Sequence, residues 1–138
     1  MKMRLLVPVL CFLGLSVLAL SPGKLYTLHC MGCHGAQGEG IPNRVPPLRN
    51  FVGYFAYLPE GRAFLIQVPG SANSPLSDAE LAQVTNWILK TFSPKELPSD
   101  FRPFSPEEVR RYRSTPLQNI TRVRQALLEK LKSLGVIP

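Results

Sequence analysis

Cysteine and histidine are scarce in this chain, and the scarcity narrows its chemistry. Of three cysteines, Cys30 and Cys33 stand together and Cys11 lies in an N-terminal apolar run. The two histidines, His29 and His34, belong to the same short stretch as the cysteine pair, and no Cys or His follows. A closed structural zinc site needs four ligands, and a lone C-x-x-C without a second cluster does not supply them. No strand-rich segment precedes the pair, as thioredoxin-like redox chemistry would require. Beyond the first residues the only methionine is Met31. The longest apolar run, Leu5 to Leu20, falls somewhat short of the ~20 residues that a membrane-spanning helix needs.

That run is nevertheless informative. Lys2 and Arg4 precede it, and Val17-Leu18-Ala19 ends it with residues of the kind a signal peptidase accepts. Residues 1–19 therefore read as a secretory signal, with retention as an N-terminal anchor as the alternative. Cys11 follows Leu10 instead of a small residue, which argues against lipidation, and cleavage discards it. The remainder is expected in an oxidising compartment, the bacterial periplasm.

The stretch Cys30-Met31-Gly32-Cys33-His34 accounts for both remaining thiols. C-x-x-C-H is the attachment signal for c-type haem. On a helical turn the two thiols lie on one side, where each can form a thioether to a porphyrin vinyl group, and His34 then points to the iron. The expected cofactor is one covalent haem c per chain, held by Cys30 and Cys33, with His34 as the metal ligand. A mature chain this short has little core of its own, and a porphyrin adds a large apolar face to pack on.

Helical patterning surrounds the motif. A first helix is expected from about Gly23 to Gly32, and a Gly- and Pro-rich loop from His34 to Asn50 follows, too rich in breakers for regular structure. A short helix over Glu60–Gln67 stops at Pro69-Gly70. A third helix begins at Ser77, whose partner Glu80 completes a capping box, and carries Leu81, Val84, Trp87, Ile88 and Phe92 as a stripe before Pro94.

Tyr26, CMGCHGAQGEG, VPPL, a short helix and SPLSDAELAQVTNWIL resemble class I c-type cytochromes in order and spacing over residues 22–93. The resemblance implies an all-α cytochrome c-like fold around one haem, with its first and last helices crossing near Gly23–Tyr26 and Trp87. It implies His34 as the proximal ligand, and the Pro47 carbonyl as acceptor for the other His34 nitrogen. Pro47 and Trp87 are thus further candidate cofactor contacts, Trp87 foremost as a core or interhelix residue. The function implied is single-electron transfer between redox proteins, as a periplasmic carrier or as the haem subunit or electron acceptor of a dehydrogenase; an oxidase is the other partner considered.

The chain departs from that family where its members usually supply a methionine sulfur to the iron. Val68 stands there, in LIQVPGSANSPLSD, and Met31 lies between the haem cysteines, unable to reach the opposite face. His29 adjoins Cys30 and is expected half-exposed. Asn73, Tyr54, Tyr57, Lys90, water or no group at all are left for the sixth position. A vacant position raises the alternative of a haem enzyme or a small-ligand-binding sensor cytochrome, although the stretch offers no His, Asp or Glu for acid–base work.

The resemblance ends near Ser93, so the domain expectation is residues 20–93 for the cytochrome and 94–138 for a proline-punctuated basic helical extension. Nine basic and five acidic residues over 95–138 give +4, against five and four, or +1, over 20–94, so the charge is concentrated in the extension. Helices are expected over Pro106–Arg113 and Leu117–Leu134, the latter with Val123, Leu127, Leu128, Leu131 and Leu134 on one face. That face should pack on the haem domain or on another protein, and membrane contact is expected only through a retained N-terminal segment. Nucleic acid does not suit an exported haem protein; the positive charge suits an acidic redox partner.

Overall fold

The computed structural model describes residues 19–138. The proposed signal and Cys11 lie outside them, apart from Ala19. The described chain is helical with no strand, and its one β-bridge joins Ile41 to Val45.

Helix α1 (Pro22–His29) begins with Pro at its first turn, where a missing N–H costs nothing. It stops earlier than expected. Cys30 takes φ −126°, outside the helical well, and a separate turn, α2 (Met31–His34), carries the rest of the motif. Gly35 ends α2 at φ 75°, a conformation glycine adopts without strain. The following loop folds tightly on itself: a Cβ on Gly40 would lie 2.2 Å from the Val45 carbonyl oxygen, so that contact requires glycine.

A 3-10 helix over Val52–Tyr57 leads into α3 (Pro59–Gln67). α3 ends at Gln67, before Pro69-Gly70 as expected, and Pro69 then starts the one-turn helix α4 (Pro69–Ala72), because a proline that cannot continue one helix is well suited to begin another. Helix α5 (Asp78–Phe92) has the expected capping box: the Glu80 N–H donates to Ser77 Oγ at 3.2 Å, and the Ser77 N–H donates to Glu80 Oε2 at 2.9 Å. Its end is fixed by buried Ser93, whose hydroxyl accepts from the Gly53 N–H at 3.0 Å and donates to Glu96 at 2.8 Å.

The extension folds as α6 (Pro106–Arg113) and α7 (Ile120–Ser133). α7 begins three residues later than the periodicity suggests, because the Asn119 side chain caps it by accepting the Arg122 N–H at 3.0 Å. Leu117 instead donates its N–H to the Gln67 carbonyl at 3.3 Å. Leu127 and Leu131 are buried and Val123 and Leu128 half-buried, but Leu134 lies past the helix end and is 59% exposed.

α1 crosses α5, and α6 packs on α5 and α3. Val109, Leu127 and Leu131 enter the same core as Leu25, Ile66, Val84 and Leu89, so the extension's apolar face is covered by its own chain. Polar ties reinforce this. Arg62 on α3 forks onto Glu108 through Nε and Nη2 at 2.8 and 2.7 Å, and its guanidinium stacks 4.0 Å from the Phe104 ring. Asn86 exchanges two bonds with the Phe104 backbone at 2.7 and 3.0 Å. Arg113 donates from Nε to the Ala72 carbonyl at 2.8 Å, from Nη1 to the Leu76 carbonyl at 2.7 Å, and from Nη2 to the Ser74 carbonyl, pairing also with Asp78. No helix among the described residues is long and apolar enough to cross a membrane.

Candidate haem site

A cavity of about 450 Å³ opens between the motif turn, the loop 44–48, α3, α4 and α5. Its size falls in the range of small-molecule and cofactor sites. Cys30, Cys33 and His34 lie in one part of its wall, and Phe55, Phe64, Val68, Leu81, Val84, Ile88 and Leu89 supply much of the rest. The wall is overwhelmingly apolar and, among the described residues, contains no carboxylate.

His34 is the informative group. Among the described residues its Nδ1 is buried without a hydrogen-bond partner. An unpaired buried polar atom costs about 1–3 kcal/mol, so native structures rarely keep one without a purpose. Burial also lowers the His34 pKa, keeping the imidazole neutral and its lone pair free. Cys30 is half-buried and its thiol is pushed up to about 11, first by burial and then by the neighbouring Cys33. That environment opposes the low-pKa thiolate of a disulfide oxidoreductase. Among the described residues no group of three or more His, Cys, Asp and Glu side chains is arranged to hold a metal. A neutral imidazole that shares a largely apolar cavity wall with two thiols fits a planar group that attaches at both sulfurs and brings its own four metal ligands.

Tyr26 supports the turn from behind. Its hydroxyl donates to the Gly35 carbonyl at 2.6 Å, fixing the residue next to His34, and burial pushes its pKa up to about 12.

The other expected residues divide. Pro47 lines the cavity, but its carbonyl receives no bond from His34 Nδ1. Trp87 is not in the wall. Positions 81, 84, 85, 88 and 89 of α5 form the stripe facing the cavity, and 87 falls outside it. Trp87 instead packs at the α1–α5 crossing, where a Cβ on Gly23 would touch its ring at 3.5 Å and the Tyr26 ring lies 5.3 Å away. His29 is exposed and borders the cavity beside Cys30. Val68 is in the wall, whereas Tyr54, Tyr57, Asn73, Lys90 and Met31 are not. Sequence reasoning missed Thr85, Ser71 and Ser74 as wall residues, and also Ile120 and Arg124 from the extension. The stripe on α5 could have revealed Thr85; nothing in the local pattern places α7 beside the cavity.

Residues 23–92 match the cytochrome c family, and the chain belongs to it. It is a monohaem electron carrier with covalent haem c, and such carriers exchange electrons with redox partners. Two proteins of Thermus thermophilus, each named cytochrome c-552, are similar along most of their length. One is 30% identical over 96% of this chain and 98% of its own. The other is 31% identical over 82% and 95%. Both alignments extend beyond the matched family segment.

Proposed function

We propose that this chain is a periplasmic electron-transfer cytochrome in which Cys30 and Cys33 hold the haem vinyl edge and His34 binds its iron. The observation that carries the reading is the half-buried, neutral His34, whose Nδ1 has no hydrogen-bond partner among the described residues and which shares one cavity wall with both thiols. When bound, the haem supplies an iron that gains and loses one electron. Phe55, Phe64, Leu81 and Val84 give the cavity that would hold the haem an apolar wall, Pro47 adds a further apolar lining residue, and Tyr26 fixes the motif turn. Cys33 and His29, both in the cavity wall, are exposed, so the attachment edge is the route by which a partner comes near the porphyrin. The partner is a periplasmic redox protein, a dehydrogenase or an oxidase, reached after export directed by residues 1–19.

Among the described residues the cavity wall, which includes Val68, offers no methionine sulfur that could bind the iron. That leaves the second possibility of a small-ligand-binding cytochrome, favoured by the lack of methionine or carboxylate in the wall. Absorption spectra of the reduced protein with and without carbon monoxide decide between them. An unchanged spectrum together with rapid exchange with a redox partner supports the carrier; a large shift at low carbon monoxide supports the ligand binder.

A further inference from the structure

Among the described residues the cavity wall contains two guanidiniums, Arg44 and Arg124, and no acid to match either. Arg44 sits on an exposed loop, where water satisfies it. Arg124 is different. It projects from α7 into the wall and is half-buried, and burial lowers its pKa. Among the described residues it has no ion pair and no side-chain hydrogen bond; its one polar contact is the Phe51 ring, 5.7 Å from the guanidinium carbon and near the limit of a useful cation–π interaction.

The other half-buried arginines are fully engaged: Arg62 on Glu108 and the Arg102 carbonyl, Arg113 on Asp78 and three backbone carbonyls. The carboxylates of the elements beside Arg124 are also taken. Glu129 accepts from Gln125, and Glu60 pairs with Lys130. A desolvated cation without a counter-charge is unfavourable, and a guanidinium is shaped to take a carboxylate with two parallel N–H bonds. The neighbouring elements leave Arg124 without a counter-charge, and the group that fills the cavity can supply one. Haem carries two propionate carboxylates at the edge away from its vinyl groups, and the vinyl edge is fixed at Cys30 and Cys33.

We propose that Arg124 binds a haem propionate, so that the C-terminal helix is part of the cofactor site and not only a brace behind it. Arg124 lies outside residues 23–92, the segment that matches the family, so the contact belongs to the extension. The inference rests on the haem reading above.

The test uses the holoprotein, with Arg124→Gln and Arg124→Lys compared by resonance Raman spectroscopy of the propionate bending mode and by the midpoint potential. Loss of the cation should shift the bending mode and lower the potential, because an unneutralised carboxylate favours ferric iron; Lys should restore most of both. Should Arg124→Gln fail to hold haem, the Lys variant still carries the test through a small shift of the same mode. Wild-type mode and potential in both variants would overturn the inference, even if unfolding occurred at lower denaturant, since that pattern marks a packing role. If the wild-type chain carries no haem, the haem reading itself fails and this inference goes with it.

Discussion

His34 shows what one residue contributes to the site: a base that burial keeps neutral, its Nδ1 without a hydrogen-bond partner among the described residues. Val68, in the same wall, shows what is withheld. Since Met31 does not line the cavity, the oxidised protein should lack the near-infrared band of sulfur–iron ligation, and its potential should lie below that of a methionine-ligated relative. Val68→Met should introduce the band and raise the potential, at about 1–3 kcal/mol of overpacking; a band already present in the wild type would contradict the assignment. Glu108 gives a pH prediction. Its burial alone would raise its pKa, but the bonds and charge of Arg62, helped by Arg111 and Tyr112, outweigh that and hold it below the ordinary carboxylate value. A depressed folded pKa means that the pair stabilises fully above about pH 4.3 and that this contribution is lost as pH falls through the lower folded value. Glu108→Gln should cost about 1–3 kcal/mol near neutrality and remove that part of the acid dependence, read from urea midpoints across pH.

Among the elements, α5 and α6 were legible because their signals are local: a capping box at Ser77, Pro106 after Ser105, and arginines at the end of α6. The break at Cys30, the α4 turn and the 3-10 helix over Val52–Tyr57 were not, since each depends on how the chain packs around the cavity. The motif was legible residue by residue. The rest of the site was legible only in part, because a stripe such as Leu127 and Leu131 shows that a face is buried without showing what buries it. Arg113 ties α6 to the loop after α4 through three carbonyls and Asp78. Arg113→Ala should therefore destabilise by about 2–4 kcal/mol, as expected when buried acceptors lose a charged donor, with the effect appearing as a lower urea midpoint of the holoprotein. A midpoint within error of wild type would mean that the loop is held by packing alone.

At the scale of the whole molecule, the extension shares the core of the haem-binding part through Val109, Leu127 and Leu131. Truncation after Phe92 should accordingly cause unfolding or haem loss, not a clean loss of partner recognition. Surface charge is better probed by salt. The excess of basic side chains in 95–138 should steer an acidic partner, so electron exchange with it should slow as ionic strength rises and the screening length contracts to about 8 Å at physiological salt; exchange rates independent of salt would contradict steering. Beneath all of this lies the proposal that haem c is attached covalently at the two sulfurs of one motif, Cys30 and Cys33. Its most direct test is the mass of the exported chain after denaturation, compared with Cys30→Ala and Cys33→Ala. The account predicts a wild-type mass increased by one haem, with attachment weakened or lost in either variant; an unmodified wild-type mass, or undiminished attachment in both variants, would contradict it.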